Sequence, residues 1–297
     1  MATTLLSTPS SAPQTSRAPR ATRSRRRRAT GRTIVLATVA YLVALVFVLP
    51  YAEMVISGLR PANELSARTY LPTALDWSNF VDIWSTGLAT NLRVSLIVAG
   101  GATLLVLAVA LPAAYYTARH RFRGRGAFLL LVLVTQMFQP AAMLVGIYRE
   151  FLSLNLIDSI VALILVNAGF NLAFATWILN AYFASIPVEL EEAALLDGMT
   201  RLGALRRITI PLAMPGIVTA LIFTFIGTWN EFLVALTLTT TPENQPLTVA
   251  LNAYIGQYQV DWGHLFAGSV IATIPVIVLF AFIEGKVVGG LTAGSVK

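Results

Sequence analysis

Cysteine, histidine and charge are all scarce in this sequence, and each scarcity excludes a class of function. The 297 residues contain no cysteine and only two histidines, His120 and His264, so disulfides and thiolate or histidine-based metal sites are excluded. The phosphate-binding pattern GxxxxGK[ST] is missing, because the only Gly-Lys pair, Gly285-Lys286, is followed by valine. The HExxH and GxSxG motifs are missing as well. We therefore predict no catalytic residue, no metal ligand and no cofactor bound by this chain, which cannot hydrolyse ATP alone.

Charged residues make up 12% of the sequence, whereas an ordinary soluble domain has about a quarter. Hydrophobic residues make up 56%, and the mean hydropathy is +0.72. The apolar runs are continuous and show no alternation with period two, so they favour helices over the strands of a membrane barrel. The sequence predicts an all-α membrane protein.

Six apolar stretches approach or exceed the roughly 20 helical residues that a bilayer core of about 30 Å requires. They are Thr33–Leu59, Asn91–Ala118, Gly126–Tyr148, Ser159–Phe183, Pro211–Thr239 and Leu265–Gly285. We predict a six-span membrane domain over residues 33–288, a basic tail over residues 1–32 and a short tail over residues 289–297.

The distribution of Lys and Arg predicts the orientation, because cytoplasmic connections are enriched in these residues. One side carries 17 of them: Arg17, Arg20, Arg23, Arg25, Arg26, Arg27, Arg28, Arg32, Arg119, Arg121, Arg123, Arg125, Arg201, Arg206, Arg207, Lys286 and Lys297. The other side carries four: Arg60, Arg68, Arg93 and Arg149. Both termini are therefore predicted to be cytoplasmic. The connections 60–90 and 240–264 are then external, and each is long enough for a short interfacial helix and an external partner.

The basic tail explains much of the net charge of +7. Eight of its residues are arginine, and the rest are largely Ser, Thr, Ala and Pro with no apolar face, so we expect residues 1–32 to be disordered. A nucleic-acid arm or a transit peptide is the alternative. We favour a flank that holds the first span's end in the cytoplasm and touches anionic lipid, with no nucleic-acid partner.

The connection 184–210, hereafter the charged segment, interrupts the apolar pattern with seven charges. Pro187 and the acidic residues after it suit the start of a short helix. Gly198 suits its end, and Thr200 suits the cap of a second short helix. We predict two helices that meet at a bend on the cytoplasmic face, although a solvated hairpin that merely connects two spans would also satisfy these signals.

A longer pattern in the charged segment is more specific. Glu192-Ala193-Ala194 is followed by three residues and Gly198, then by nine residues and Ile208, and finally by Ile210-Pro211. This pattern resembles the EAA loop of ABC-importer permeases, which also precedes the fifth of six spans. The stretches FASIPVELEEAALLDG, GTWNEFLVALTL and GGLTAGSVK resemble the carbohydrate-uptake branch, and the last is similar to the end of the maltose-type second permease subunit.

The resemblance implies a permease subunit in the cytoplasmic (inner) membrane of a prokaryote that passes a disaccharide or oligosaccharide. Family members pair with a second, different permease subunit, two ATPase subunits that bind ATP and Mg, and an extracytoplasmic sugar-binding protein. The residues implied to couple to the ATPase are Glu192, Ala193, Ala194, Gly198, Ile208 and Pro211. The residues of the C-terminal tail implied to reach the ATPase are Gly290, Leu291, Thr292 and Gly294.

Polar residues inside apolar stretches are candidates for the translocation path, because a charged group costs about 2.5–3.5 kcal/mol at the bilayer centre. The candidates are Gln139, Asn171, Trp229, Asn230 and Glu231, of which the tryptophan offers a face on which a sugar can stack. Hydrogen bonds that merely join the helices are the alternative role.

Other function classes stay open at this point. A stand-alone ion-coupled transporter or channel would have charges distributed through its bundle, but here only Glu53 and Glu231 lie well inside the stretches. A membrane-embedded enzyme would need a constellation of reactive residues, which we do not find. Among ABC importers, a permease for glycerol 3-phosphate, amino acids, peptides or phosphonates is the alternative.

Overall fold

The computed structural model describes residues 23–61, 64 and 72–292, with side chains at residues 31, 33–61, 64 and 72–283. In these ranges the chain is helical, and its only β-type contact is an isolated antiparallel bridge between Ile255 and Val260. The α-helices are α1 (Arg23–Gly58), α2 (Ser78–Asp82), α3 (Leu88–Arg119), α4 (Arg125–Thr135), α5 (Pro140–Ser153), α6 (Ile160–Ser185), α7 (Glu189–Leu196), α8 (Arg201–Ala204), α9 (Ile210–Leu212), α10 (Met214–Trp229), α11 (Leu233–Leu238), α12 (Leu247–Asn252) and α13 (Trp262–Thr292).

Four of these helices contain a segment long and apolar enough to cross a membrane. The four segments are Thr33–Gly58, Leu88–Arg119, Ile160–Ser185 and Trp262–Ile283. Two bent pairs of helices raise the number to six if each pair counts as one span. The described part of the chain therefore has four to six candidate spans, at the six places where the sequence predicts them.

The third predicted span, Gly126–Tyr148, is not one straight helix. It divides into α4 and α5, which meet at an angle of 94°. Gln139 adopts an extended conformation (φ −72°, ψ 131°) before Pro140, which opens α5. A proline disfavours helical geometry in the residue before it, and the break follows from that restriction.

The fifth predicted span, Pro211–Thr239, is interrupted twice. The helical run Arg201–Leu212 meets α10 at 71°, and Pro215 lies in the first turn of α10, where its missing N–H costs nothing. A second break separates α10 from α11 at residues 230–232. The predicted stretch Pro211–Thr239 is therefore divided among α9, α10 and α11.

Contacts divide the chain into two units, residues 1–51 and residues 52–297. In the first unit the described side chains from residue 33 to 51 are all exposed. A helix that is apolar on every side and exposed throughout suits a lipid environment. The helix begins at Arg23, so residues 23–32 of the predicted disordered tail are helical, and this run is rich in arginine, a good helix former. Residues 1–22 lie outside the described residues.

The core of the second unit lies where α3, α6 and α10 pack together. Its contacts are made largely by small side chains, which let helices approach closely without lipid between them. The fully buried alanines of this cluster are Ala102, Ala110, Ala114, Ala175, Ala213 and Ala220. An added Cβ at Gly216 of α10 would overlap the ring of Tyr182 in α6, so this glycine is required for the approach of those two helices.

The segment between α11 and α12 (residues 239–246), hereafter the α11–α12 loop, is tied to the first turns of α3 and the residues before α6. Asp158 accepts hydrogen bonds from the backbone N–H groups of Thr240 (2.9 Å) and Thr241 (3.1 Å). Asn91 of α3 donates to the carbonyl groups of Pro242 (2.9 Å) and Gln245 (2.8 Å). These bonds fix a loop that would otherwise be held only by its two ends.

Partial burial disfavours the charged form of Asp158, but the hydrogen bonds outweigh that effect. Besides the two backbone donors, the Thr241 hydroxyl donates to the carboxylate at 2.7 Å. Together these donors lower the pKa of Asp158 from 3.8 to about 2. The carboxylate therefore stays ionised while it holds the α11–α12 loop.

Candidate functional site

The charged segment contains two short helices, α7 and α8, that meet at Gly198. This glycine has φ +87°, a left-handed conformation that residues with a Cβ rarely adopt. The Thr200 hydroxyl caps α8 by accepting from the N–H of Gly203 at 3.1 Å. One turn of π-helix, Leu205–Thr209, follows α8, so Arg206 and Arg207 lie in that turn and not at the end of an α-helix.

The residues implied to couple to an ATPase differ in their exposure. Glu192, Ala193, Gly198 and Pro211 are exposed, whereas Ala194 is buried and Ile208 is half-buried. Leu196, at the end of α7, exposes 89% of its surface. The segment thus presents a carboxylate, small residues and several large apolar side chains outward, of which Leu196 is the most exposed, while Ala194 packs inward.

Glu191, which the sequence analysis did not select, has the most contacts of any acidic side chain in α7. Its Oε1 atom pairs with the guanidinium of Arg119, at the end of α3. The Nε of Arg119 donates to this oxygen at 2.9 Å, and Nη2 lies 2.8 Å from the same oxygen as an ion-pair contact. The carboxylate also accepts from the hydroxyl groups of Tyr115 (2.9 Å) and Thr209 (2.7 Å). Arg119 also donates to the carbonyl of Ile186, just after α6, at 2.8 Å.

Both charged groups of this pair are largely shielded from solvent, with 7% of the Arg119 side chain and 12% of the Glu191 side chain exposed. Tyr115, near the end of α3, donates its hydroxyl hydrogen to the Glu191 carboxylate in this environment. Beside this network, α7, α8 and the end of α3 surround an open groove of about 380 Å³.

The candidate path residues lie on several elements. Gln139 is exposed at the break before α5, and Asn230 is exposed at the break after α10. Asn171 in α6 donates to the carbonyl of Asn167 at 2.9 Å, and a Cβ at Gly227 of α10 would lie 2.9 Å from its Oδ1. Contact of these residues with a substrate stays a prediction.

Trp229 and Glu231 have structural partners within the chain. Trp229 is buried, and its ring stacks on Phe225 with a centroid distance of 5.7 Å. Glu231 caps α11 by accepting from the N–H groups of Val234 (2.7 Å) and Ala235 (3.0 Å). The cap explains how a carboxylate is accommodated inside an apolar stretch, since it satisfies backbone donors at a helix start.

The C-terminal residues implied to reach an ATPase are described only in part. Gly290, Leu291 and Thr292 continue α13, and Gly294 lies outside the described residues. Among the described residues, no group of three or more His, Asp or Glu side chains could hold a metal ion.

Comparisons with known proteins agree with this arrangement. Residues 107–286 match the family described as the binding-protein-dependent transport system inner membrane component. The chain is 35% identical over 258 residues to the probable ABC transporter permease protein YurM of Bacillus subtilis, covering 86% of this chain and 85% of that protein. It is 34% identical over 251 residues to the sulfoquinovosyl glycerol transport system permease protein SmoH of Agrobacterium fabrum, covering 84% and 88%.

A solved structure shows the same fold. A chain in the crystal structure of a bacterial ABC transporter involved in the import of the acidic polysaccharide alginate superposes with a TM-score of 0.73. It is 24% identical to this chain and covers 90% of this chain and 99% of its own length. The protein therefore belongs to the family of binding-protein-dependent transport system inner membrane components. It is an ABC-transporter permease, and the resemblance predicted from the EAA pattern is confirmed.

Proposed function

We propose that this chain is one permease subunit of an ATP-driven importer that passes a disaccharide or oligosaccharide across the cytoplasmic membrane of a prokaryote. Two ATPase subunits supply the ATP and Mg chemistry, a second and different permease subunit completes the passage, and an external binding protein delivers the sugar. The chain crosses the membrane six times, with α4–α5 and the run through α10 as broken spans and both termini inside.

The observation that carries this proposal is the exposed face of the charged segment in a chain of this family. Glu192, Ala193 and Gly198 lie outward on a compact pair of helices between α6 and α10. Small residues allow the backbone of a partner to approach closely, and a carboxylate offers a charged hydrogen bond. The excess of Lys and Arg on the same side favours a cytoplasmic location, where an ATPase would be found.

A sugar is favoured as the substrate because relatives of this chain are named for the sugars that they transport. SmoH is named for sulfoquinovosyl glycerol, and the structurally similar importer takes up alginate.

The test is purification of the intact assembly from the native membrane through a tag on this chain. We expect an ATPase, a second permease and an external binding protein to be retained. ATP hydrolysis in lipid nanodiscs should rise when the binding protein carries one sugar of a panel: trehalose, maltose, sulfoquinovosyl glycerol or alginate oligosaccharides. Stimulation by glycerol 3-phosphate alone would refute the sugar assignment, and a lone chain with transport activity would refute the whole proposal.

A further inference from the structure

The Arg119–Glu191 pair connects the charged segment to α3, a helix to which it is not joined through the chain. Covalently, the segment continues from α6 through Ile186 and leads into α10 across the 71° bend. Through space, Glu191 accepts hydrogen bonds from Tyr115 and Arg119 of α3, and Arg119 also donates to the carbonyl of Ile186. The pair therefore joins the end of α6, α7, the π-helical turn and the end of α3 at one point.

We propose that Arg119 and Glu191 are positioning residues that make the charged segment and α3 move as one body. Movement imposed on the segment then reaches the α11–α12 loop along α3. This inference rests on the proposed function, because it concerns how a movement generated by the ATPase is distributed.

The geometry of the pair suits this role. The planar guanidinium of Arg119 donates from Nε to Oε1 of Glu191 and from Nη1 to the carbonyl of Ile186, and bonds to two partners fix its orientation as well as its distance. Both groups are shielded from solvent, which weakens screening by salt. The chain between α6 and α7 is extended at Ile186 (ψ 126°) and makes no α-helical link between the two helices. The bond from Arg119 to the carbonyl of Ile186 holds this connection to the end of α3.

The geometry of α3 suits the transfer of a movement over distance. Its 32 residues span about 48 Å, so that Arg119 lies at one end and the residues that hold the α11–α12 loop lie at the other. Pro112 interrupts the hydrogen bonding of α3, but Ala110 and Ala114 on either side of it are fully buried in the core cluster. At the far end, Asn91 binds the loop at Pro242 and Gln245, and Ser95 accepts from the N–H of Leu247 at 2.7 Å.

The test measures the response of the α11–α12 loop to nucleotide in the whole assembly. The chain contains no cysteine, so an exposed Glu243→Cys substitution can be labelled selectively once the partner subunits are made cysteine-free. The labelling rate with a hydrophilic maleimide is compared in nanodiscs without nucleotide and with MgATP plus orthovanadate. The amount of ATPase that stays bound to the permease and the rate of ATP hydrolysis are measured on the same samples.

In the chain carrying only Glu243→Cys, we expect trapping to change the labelling rate at least about fivefold, the lower end of usual couplings between sites. Arg119→Met and Glu191→Gln should remove most of that change while the ATPase stays bound and active. The exchanged pair Arg119→Glu with Glu191→Arg should restore part of it. Glu189→Gln removes the same charge from an exposed position on α7 and should leave the response unchanged.

Three results overturn the inference. One is an unchanged response in both charge variants. Another is loss of the ATPase from both, which would give the pair only the role of shaping the docking surface. If neither charge variant accumulates in the membrane, Tyr115→Phe and Thr209→Val are used instead, because each deletes one hydrogen bond to Glu191. Both should give intermediate changes in labelling rate. A full change in both variants is the third result that overturns the inference. Absence of any ATPase from the unsubstituted assembly would instead refute the proposed function.

Discussion

Substitution of Gly198 can separate the demands of the backbone from contact with a partner. Gly198 has φ +87°, and a Cβ added there would meet nothing within 4 Å. The cost of Gly198→Ala within this chain is therefore backbone strain alone, about 1–2 kcal/mol for a left-handed residue with a Cβ. Gly198→Asn should cost less, because asparagine enters this conformation more readily than alanine does.

The two substitutions should rank in opposite orders in two measurements. In thermal unfolding of the purified permease, alanine should lower the melting temperature more than asparagine. If the ATPase packs against Gly198, retention of the ATPase and sugar-stimulated ATP hydrolysis should fall in both variants. The fall should be greater for asparagine, whose side chain is larger.

Gly124 provides the matched control, since it has φ +93° and an equally open surrounding but lies outside the charged segment. Gly124→Ala and Gly124→Asn should reproduce the order of melting temperatures and leave retention of the ATPase unchanged. A Gly198→Asn variant that binds the ATPase and transports sugar normally would refute contact at this residue, because the glycine would then serve the backbone only.

Three further predictions concern the supports of the fold. Asp158→Asn should lower the free energy of unfolding by about 1 kcal/mol at pH 7. Because the pKa of Asp158 is lowered from 3.8 to about 2, the stabilisation by its carboxylate is complete above about pH 4 and is lost as the pH falls to about 2. The melting temperatures of the two proteins should therefore converge over that range, and a constant difference between them would contradict the account. Gly216→Ala should lower the free energy of unfolding by about 1–3 kcal/mol, because its Cβ would overlap Tyr182 of α6. Gly100→Ala is the control and should be nearly neutral, because a Cβ at Gly100 would meet open space. Equal melting temperatures for the two variants would disprove the close approach of α6 and α10. Glu231→Ala should lower the melting temperature, because it removes about 1 kcal/mol of helix-capping energy. Glu231→Gln should lower the melting temperature less and should leave transport intact. Abolished transport in a stable Glu231→Gln protein would instead assign the carboxylate to the translocation path.

The sequence locates the helices well where the required length and composition are decisive. The predicted stretch Asn91–Ala118 lies within α3, and Ser159–Phe183 differs from α6 by one residue at its start and two at its end. Breaks are harder to predict, because a proline can bend a helix or begin a new one. At Pro140 it begins a new helix, and the packing that decides between these outcomes involves distant residues.

The charged segment shows the same limit at the level of single side chains. Neighbouring residues on a helix point about 100° apart, so Glu191 and Glu192 face different surroundings. The sequence pattern identifies Glu192 but does not show that Arg119, 72 residues earlier, meets Glu191. The placement of Arg119 at the end of an apolar stretch was the available signal, since a charge there needs a partner. Trp229 shows the opposite case: its polar neighbours in the sequence made it a candidate path residue, but in the fold its ring is buried against Phe225.

The most direct measurement is a cross-link from the exposed end of α7 in the native assembly. Leu196 exposes 89% of its surface, so a photoreactive cross-linker on Leu196→Cys can reach any protein that covers the segment. We expect the cross-linked product to contain an ATPase, in a yield that changes when MgATP and orthovanadate are added. A product that contains only lipid, or a label accessible solely from outside the cell, would contradict the account.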